Sequence, residues 1–297
     1  MVTQIIPNLW CDGNAAEVAE FYTNLFPASR ILETINYPTE GLLEFQQHLA
    51  GQPVTVDFEL RDLRFTAINA GPEFRANSSV SFMVNFDPSL DPDAREQLDA
   101  LWEGLRDGGV ELMPLAEYPF SKHYGWVQDR YGFSWQLILT DPDGDSRPTI
   151  IPCLMFGGPN QNRARDALEF YTSALPETEI GTVAPYGEPT GPATPEALMF
   201  AEFRLWSQWI VVMDSGVEQD FTFNEAVSLG IACENQREID ELWAILSRVP
   251  ESEQCGWCKD QFGVSWQIMP QNVGELLSRP HAFEHMMQMK KLVIADY

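Results

Sequence analysis

The chain has 297 residues, with 44 acidic against 18 basic side chains and a formal net charge of −26. That imbalance argues against partners of like charge, so neither nucleic acid nor an anionic membrane surface is expected. Five cysteines do not make a disulfide scaffold, no apolar run approaches the ~20 residues of a membrane span, and Met1 leads straight into an apolar strand without a basic leader, so a cytoplasmic protein is expected.

Ile5 to Trp10 reads as a strand, and Asp12-Gly13-Asn14 supplies a turn and helix N-cap. Ala15, Val18, Tyr22 and Leu25 form the apolar stripe of that helix, which Pro27 ends. Arg30 to Tyr37 follows as a strand, and Val54 to Leu60 and Leu63 to Asn69 flank Arg61-Asp62 as a hairpin. The order then recurs. Val80 to Phe86 is a strand, Asp93 to Asp107 an amphipathic helix closed by Gly108-Gly109, and Val110 to Met113, Tyr124 to Gln128 and Ser134 to Thr140 are strands. Asp141 to Pro148 is acidic and rich in turn formers, which marks a linker. Ile150 to Pro270 follows the same plan with a shortened region after Ser247. Leu112 to His123 and the Pro- and Gly-rich Pro185 to Pro195 read as long loops. Leu276, Leu277, Met286, Met289 and Leu292 then predict one or two terminal helices.

The two halves repeat each other. Gly125-Trp126, Asp129, Gly132 and Ser134-Trp135-Gln136 recur 131 positions later as Gly256-Trp257, Asp260, Gly263 and Ser265-Trp266-Gln267. Phe21-Tyr22 matches Phe170-Tyr171, Phe74 and Asn77 match Phe221 and Asn224, and Leu98, Leu101, Trp102 and Leu105 match Ile239, Leu242, Trp243 and Leu246. The expected organisation is a first domain over 1–140, a linker over 141–149, a second domain over 150–270 and a helical tail over 271–297, each domain holding two βαβββ modules.

Asp57 and Glu202 are repeated carboxylates on the polar side of a strand whose other side carries Val56, Phe58 and Leu60 in the first half and Phe203 and Leu205 in the second. In a partly desolvated site such a carboxylate can serve as a base. His123, beside the Tyr124-Gly125-Trp126 stretch, is a further weak candidate base; salt-bridged or surface roles are the ordinary reading of all three. His281 and His285 have the i,i+4 spacing of a helical chelate but lie outside the repeat. Cys255-Gly256-Trp257-Cys258 has redox spacing, yet it falls on a strand and not at the strand-to-helix turn that activates a thiol. Trp102 and Trp243 sit on apolar helix stripes and read as core, whereas Trp126, Trp135, Trp257 and Trp266 lie on closing strands where some can stack on a planar ligand.

Paired βαβββ modules with an early Phe-Tyr and a late Gly-Trp-x-x-Asp-x-x-Gly-x-Ser-Trp-Gln resemble the vicinal-oxygen-chelate superfamily of glyoxalases, bleomycin-resistance proteins and extradiol dioxygenases. Within it the chain is most similar to the PhnB-like branch, labelled demethylubiquinone methyltransferase-like: Phe221, Asn224, Ser228, Asp240-Glu241-Leu242-Trp243 and Cys255-Gly256-Trp257 follow in that branch's order. The resemblance implies an α+β fold in which tandem glyoxalase-like domains form curved, cup-shaped mixed sheets with helices outside, packed as a pseudo-dimer that could dimerise further. It also places the metal-ligand positions of catalytic members near Pro7 and Pro152 or Ile5 and Ile150, at Ser81 and Ser228, and at Gln136 and Gln267. These side chains are poor ligands for a catalytic divalent ion. No metal and no other cofactor are therefore expected, and no glycine-rich loop for a methyl donor stands out, since Gly157-Gly158 runs into Pro159.

The expected function is metal-independent binding of a small molecule in the cups, with Trp10, Asp57, Ser81, Trp126, Gln136, Glu202, Ser228, Trp257 and Gln267 as its contacts. The alternative is an isomerase or lyase using a cup carboxylate or an unrecognised metal, and a third reading is an interaction module with filled cups.

Overall fold

The computed structural model describes residues 4–40, 42 and 44–297; residues 1–3, 41 and 43 of the expected first domain lie outside that range. The first half contains β1 (Ile5–Cys11), α1 (Ala15–Leu25), β2 (Ser29–Asn36), β3 (Pro53–Leu60) and β4 (Leu63–Asn69), then β5 (Val80–Phe86), α2 (Ala94–Arg106), β6 (Val110–Tyr118), β7 (Ser121–Gln128) and β8 (Ser134–Leu139). The second contains β9 (Ile150–Phe156), α3 (Ala164–Ala174), β10 (Thr178–Pro185), β11 (Leu198–Leu205) and β12 (Gln208–Asp214), then β13 (Val227–Cys233), α4 (Gln236–Leu246), β14 (Trp257–Lys259) and β15 (Ser265–Pro270). Two short helices, α5 (Val273–Leu277) and α6 (Ala282–Gln288), follow.

One expectation about loops changes. Leu112 to His123, read as a long loop, lies almost entirely in β6 and β7, which form a hairpin joined at Pro119-Phe120. Its alternating pattern is hidden by register shifts within the β6–β7 pairing. The shortened region after Ser247 holds no counterpart of β6: Pro250–Ser252 is a 3-10 turn and β14 has three residues.

The α+β class stands, as two curved mixed sheets. The sheets do not coincide with the two halves of the sequence. A seven-stranded sheet runs β14-β15-β13-β1-β4-β3-β2, and an eight-stranded sheet runs β10-β11-β12-β9-β5-β8-β7-β6. Module one thus shares a sheet with module four, and module two with module three. The seams are antiparallel and equivalent: Ile5 faces Ile231 and Asn8 faces Ser228 across β1–β13, while Ile150 faces Val84 and Cys153 faces Ser81 across β5–β9.

Within each half the helix-facing residues hold the modules together. Tyr22 on α1 packs against Trp135 on β8 with ring centroids 5.1 Å apart, and Tyr171 on α3 against Trp266 on β15 at 5.8 Å. Each pair closes on a buried carboxylate. Asp260 accepts from Tyr171 Oη (2.6 Å), Trp266 Nε1 (2.8 Å) and the backbone N–H groups of Phe262 (2.9 Å) and Val264 (3.1 Å). Asp129 accepts from Tyr22 Oη, from Trp135 Nε1 and from the N–H groups of Tyr131 and Phe133. The early Phe-Tyr and the late Asp and Ser-Trp therefore meet as one buried knot in each half. Gly125 of the Gly-Trp pair lies under α2, where an added Cβ would stand 2.5 Å from the Trp102 ring.

Candidate functional site

Strand alternation gives each sheet a face against the helices and a face turned away from them. On the away-facing side of the seven-stranded sheet, neighbouring positions across the strands run Asp57, Thr66, Asn8, Ser228. Beside them runs Ile6, Gly230, Gln267, Trp257. On the eight-stranded sheet the equivalent row is Glu202, Val211, Cys153, Ser81, Ser134, Gln128. The fold brings Trp10, Asp57, Ser228, Trp257 and Gln267 to one face and Ser81, Trp126, Gln136 and Glu202 to the other. Each face mixes residues of both halves.

In the eight-stranded sheet the polar groups satisfy one another. Tyr124 Oη donates to Gln136 Oε1 (2.7 Å), Gln136 Nε2 donates to Ser81 Oγ (2.9 Å) and lies 3.5 Å from Cys153 Sγ, and Trp126 Nε1 donates to Ser134 Oγ (2.7 Å). Around them Ile151, Cys153 and Val211 pack with Phe200, Trp209 and Met213. Glu202 takes the Arg147 guanidinium (Nη2 to Oε1 2.7 Å), which lies 4.3 Å over the Trp209 ring. Burial pushes the Cys153 thiol up to about 12, as it does Cys11, Cys233 and Cys258, and it raises Cys255 too. All five cysteines are free and buried. Ellman's reagent at pH 8 is therefore expected to find no fast thiol in the native protein and five after denaturation; a fast native thiol would show one of these sites to be open.

In the seven-stranded sheet the same bonds are missing one after another. Cys255 stands where Tyr124 stands in the repeat, and Gln267 Oε1 is left without a donor. Trp257 and Ser265 occupy the places of Trp126 and Ser134, yet Trp257 Nε1 and Ser265 Oγ are both buried without a partner. Asn8 takes the place of Cys153, is 2 % exposed, and neither atom of its amide has a partner. Glu225 pairs with Lys259 through one oxygen (2.7 Å), and its Oε2 is unpartnered. Asp57 is held by the Arg64 guanidinium and by Thr66 Oγ1 (2.7 Å), while Arg64 Nε has no partner. Gly230 lies between Asn8 and Gln267, and a Cβ there would come within 2.7 Å of Asn8 Nδ2. Trp10 walls one end, 6.4 Å from the Trp257 ring and 4.9 Å from Phe74.

Residues 271–297 run along the rim of this sheet. Gly274 approaches Ile35 on β2, Phe283 packs on Tyr37 (5.9 Å), and Met289 and Lys290 accept from the backbone N–H groups of Cys255 and Gly256 next to β14. Tyr297 is buried there with an unpartnered hydroxyl, packed in the cluster that holds Met269.

His123 joins neither site. Tyr124 points at Gln136, so alternation sends His123 the other way, where Nε2 meets Asp99 Oδ1 at 2.5 Å and Nδ1 lies 3.3 Å from Arg95 on α2. The first-strand positions also move. Ile5 and Ile150 lie in the core on the helix side, and Pro7 and Pro152 share their phase, so Asn8 and Cys153 hold the away-facing places. Both were legible: Trp10 and Asn8 are two residues apart and must share a face. Arg64 and Arg147 gave no such signal, the first being an ordinary hairpin arginine and the second lying in the linker.

A sequence profile of the 3-demethylubiquinone-9 3-methyltransferase family matches residues 3–138 and again 148–269, so the chain belongs to this PhnB-like family in tandem form. The PhnB protein of Bacillus cereus is 31 % identical over 47 % of this chain and 98 % of its own, with a TM-score of 0.38. Glyoxalase I of Zea mays covers 92 % of this chain and 94 % of its own at 12 % identity and a TM-score of 0.53, and a single-site mutant of that enzyme has 11 % identity and a TM-score of 0.55 over the same shares. The two glyoxalase I structures share this fold over nearly the whole chain. No curated protein matches. Among the described residues, no helix is long and apolar enough to cross a membrane.

Proposed function

We propose that the chain binds a small molecule on the away-facing side of the seven-stranded sheet, at one site per chain, without a metal. The observation that carries this is the set of buried, unpartnered polar atoms on Asn8, Gln267, Ser265 and Trp257, set against the satisfied network at the equivalent places of the other sheet. Leaving such a group unpaired costs about 1–3 kcal/mol each, so a fold that keeps several together while a self-satisfied version exists in the same chain holds them for a partner.

The donor set supports the metal-free reading. Asn8, Thr66, Ser228 and Gln267 are neutral, as are Ser81, Gln136 and the protonated Cys153, and the carboxylates of the two rows, Asp57 and Glu202, are each engaged by an arginine, which suits a divalent catalytic ion poorly. Among the described residues no three His, Cys, Asp or Glu side chains are grouped to hold an ion. The methyl donor implied by the family description does not fit the glycine-rich turn at Gly157-Gly158 that follows β9. A Cβ on Gly157 would stand 2.9 Å from Gln219 Cγ and one on Gly158 2.7 Å from the Phe221 carbonyl, so the chain itself fills that turn.

The test needs no ligand. Asn8→Leu replaces an unsatisfied amide by an apolar group of similar shape and is expected to raise the unfolding free energy by about 1–3 kcal/mol. Gln136→Leu, which breaks satisfied bonds in the other sheet, is expected to lower it by about as much. A stabilising Asn8→Leu is the mark of a residue kept for binding; a destabilising one, measured by urea unfolding, would overturn the reading.

A further inference from the structure

We infer that the ligand of this site is neutral and planar and presents a hydrogen-bond donor and acceptor side by side, as a primary amide, lactam or imide does. The inference rests on the binding site just proposed.

Asn8 sets the pattern. Both atoms of its amide are buried and unpartnered, so the demand for one donor and one acceptor holds whichever way the amide is turned. Gln267 Oε1, across Gly230, calls for a second donor, and Trp257 Nε1 for a second acceptor. An amide NH2 can bridge Asn8 Oδ1 and Gln267 Oε1 while its carbonyl oxygen accepts from Asn8 Nδ2. A carboxylate offers acceptors alone and would leave Asn8 Oδ1 and Gln267 Oε1 facing lone pairs. An amidinium offers donors alone and would leave Asn8 Nδ2 and Trp257 Nε1 unanswered.

Charge points the same way. On this face Asp57, Glu225 and Glu59 are each paired with a cation, Arg64, Lys259 and Arg30. A charged ligand beside the buried amides would have to draw a counter-charge out of one of these pairs, which is costly. Gly230 lets the Asn8 amide lie directly against the strand, where a Cβ would come within 2.7 Å of Nδ2, and a flat ligand follows from the Trp10, Trp257 and Phe74 rings at the end of the site.

Benzamide, benzoate and benzamidine share one ring and differ only in donor, acceptor and charge, so they test this directly. Binding of each to the full chain is measured by ligand-observed NMR titration, with Asn8→Leu as the site control. Benzamide is expected to bind at least about tenfold more tightly than either analogue and to lose that advantage in Asn8→Leu. Tighter binding of benzamidine, reporting the free oxygen of Glu225, or of benzoate would overturn the ligand class; if that binding were also lost in Asn8→Leu, the site itself would stand. Failure of all three to bind at about 10 mM likewise overturns the class. The site falls separately, if Asn8→Leu destabilises the protein.

Discussion

Replacing Asp260 by alanine is expected to lower the unfolding free energy by about 4 kcal/mol. The carboxylate is fully buried and accepts four bonds, from Tyr171 Oη, Trp266 Nε1 and two backbone N–H groups. Alanine would strand all four donors among the rings of Tyr171, Phe203, Phe262 and Trp266. Tyr171→Phe removes one donor and leaves the other three in place, so its cost should be about 1–2 kcal/mol. Urea unfolding followed by tryptophan fluorescence reads both. Similar costs for the two variants would mean that the hydroxyl, not the carboxylate, organises the knot. Burial also pushes the Asp260 carboxyl above its ordinary value of 3.8, against the bonds it accepts. The native state then binds more protons than the unfolded chain in the window above 3.8, so the stability this group contributes is complete below that value and declines as pH rises through the raised one. Asp260→Asn should abolish that slope.

This knot explains why the repeat is so legible and yet says little about function. Phe-Tyr, Asp and Ser-Trp recur because a buried carboxylate tolerates no loss of donors, a constraint that acts on both halves alike. The divergent positions are the informative ones. Tyr124 against Cys255 and Cys153 against Asn8 turn a closed network into an open one, and neither change stands out beside matched tryptophans. Alternation correctly separates Trp135 and Trp266, in the core, from Gln136 and Gln267 on the opposite face. The same rule, counted back from Trp10, reaches Asn8, whereas positions carried over from resemblance reach Pro7 and Ile5. Sheet membership was not legible at all. β5 and β13 carry the same Val-Ser-apolar pattern, so β1 finds equivalent partners in its own half and in the other, and only three-dimensional packing chooses between them.

That choice has a consequence for the divided chain. A fragment of residues 1–142 is expected to form a homodimer, and residues 148–297 supplied with it are expected to displace one copy. In the intact chain Ile5–Leu9 pairs with Val227–Ile231, and Val80–Val84 pairs with Ile150–Leu154. Cutting the linker and removing the second half strips both partners, leaving two apolar strands with unpaired N–H and C=O groups in mid-sheet positions. A second copy of the fragment can repair both edges. β5 is the repeat counterpart of β13 and β1 of β9, and the two seams share one register, with Asn8 facing Ser228 as Cys153 faces Ser81. The β1 of one copy would therefore meet the β5 of the other twice, around a two-fold axis. The second half should be preferred where both are present, since its side chains are fitted to these seams. Light scattering coupled to size exclusion gives the mass directly. A folded, monomeric 1–142 would mean that β1 and β5 can pair within one half, and that the exchange between halves is one arrangement of two rather than a requirement of the fold.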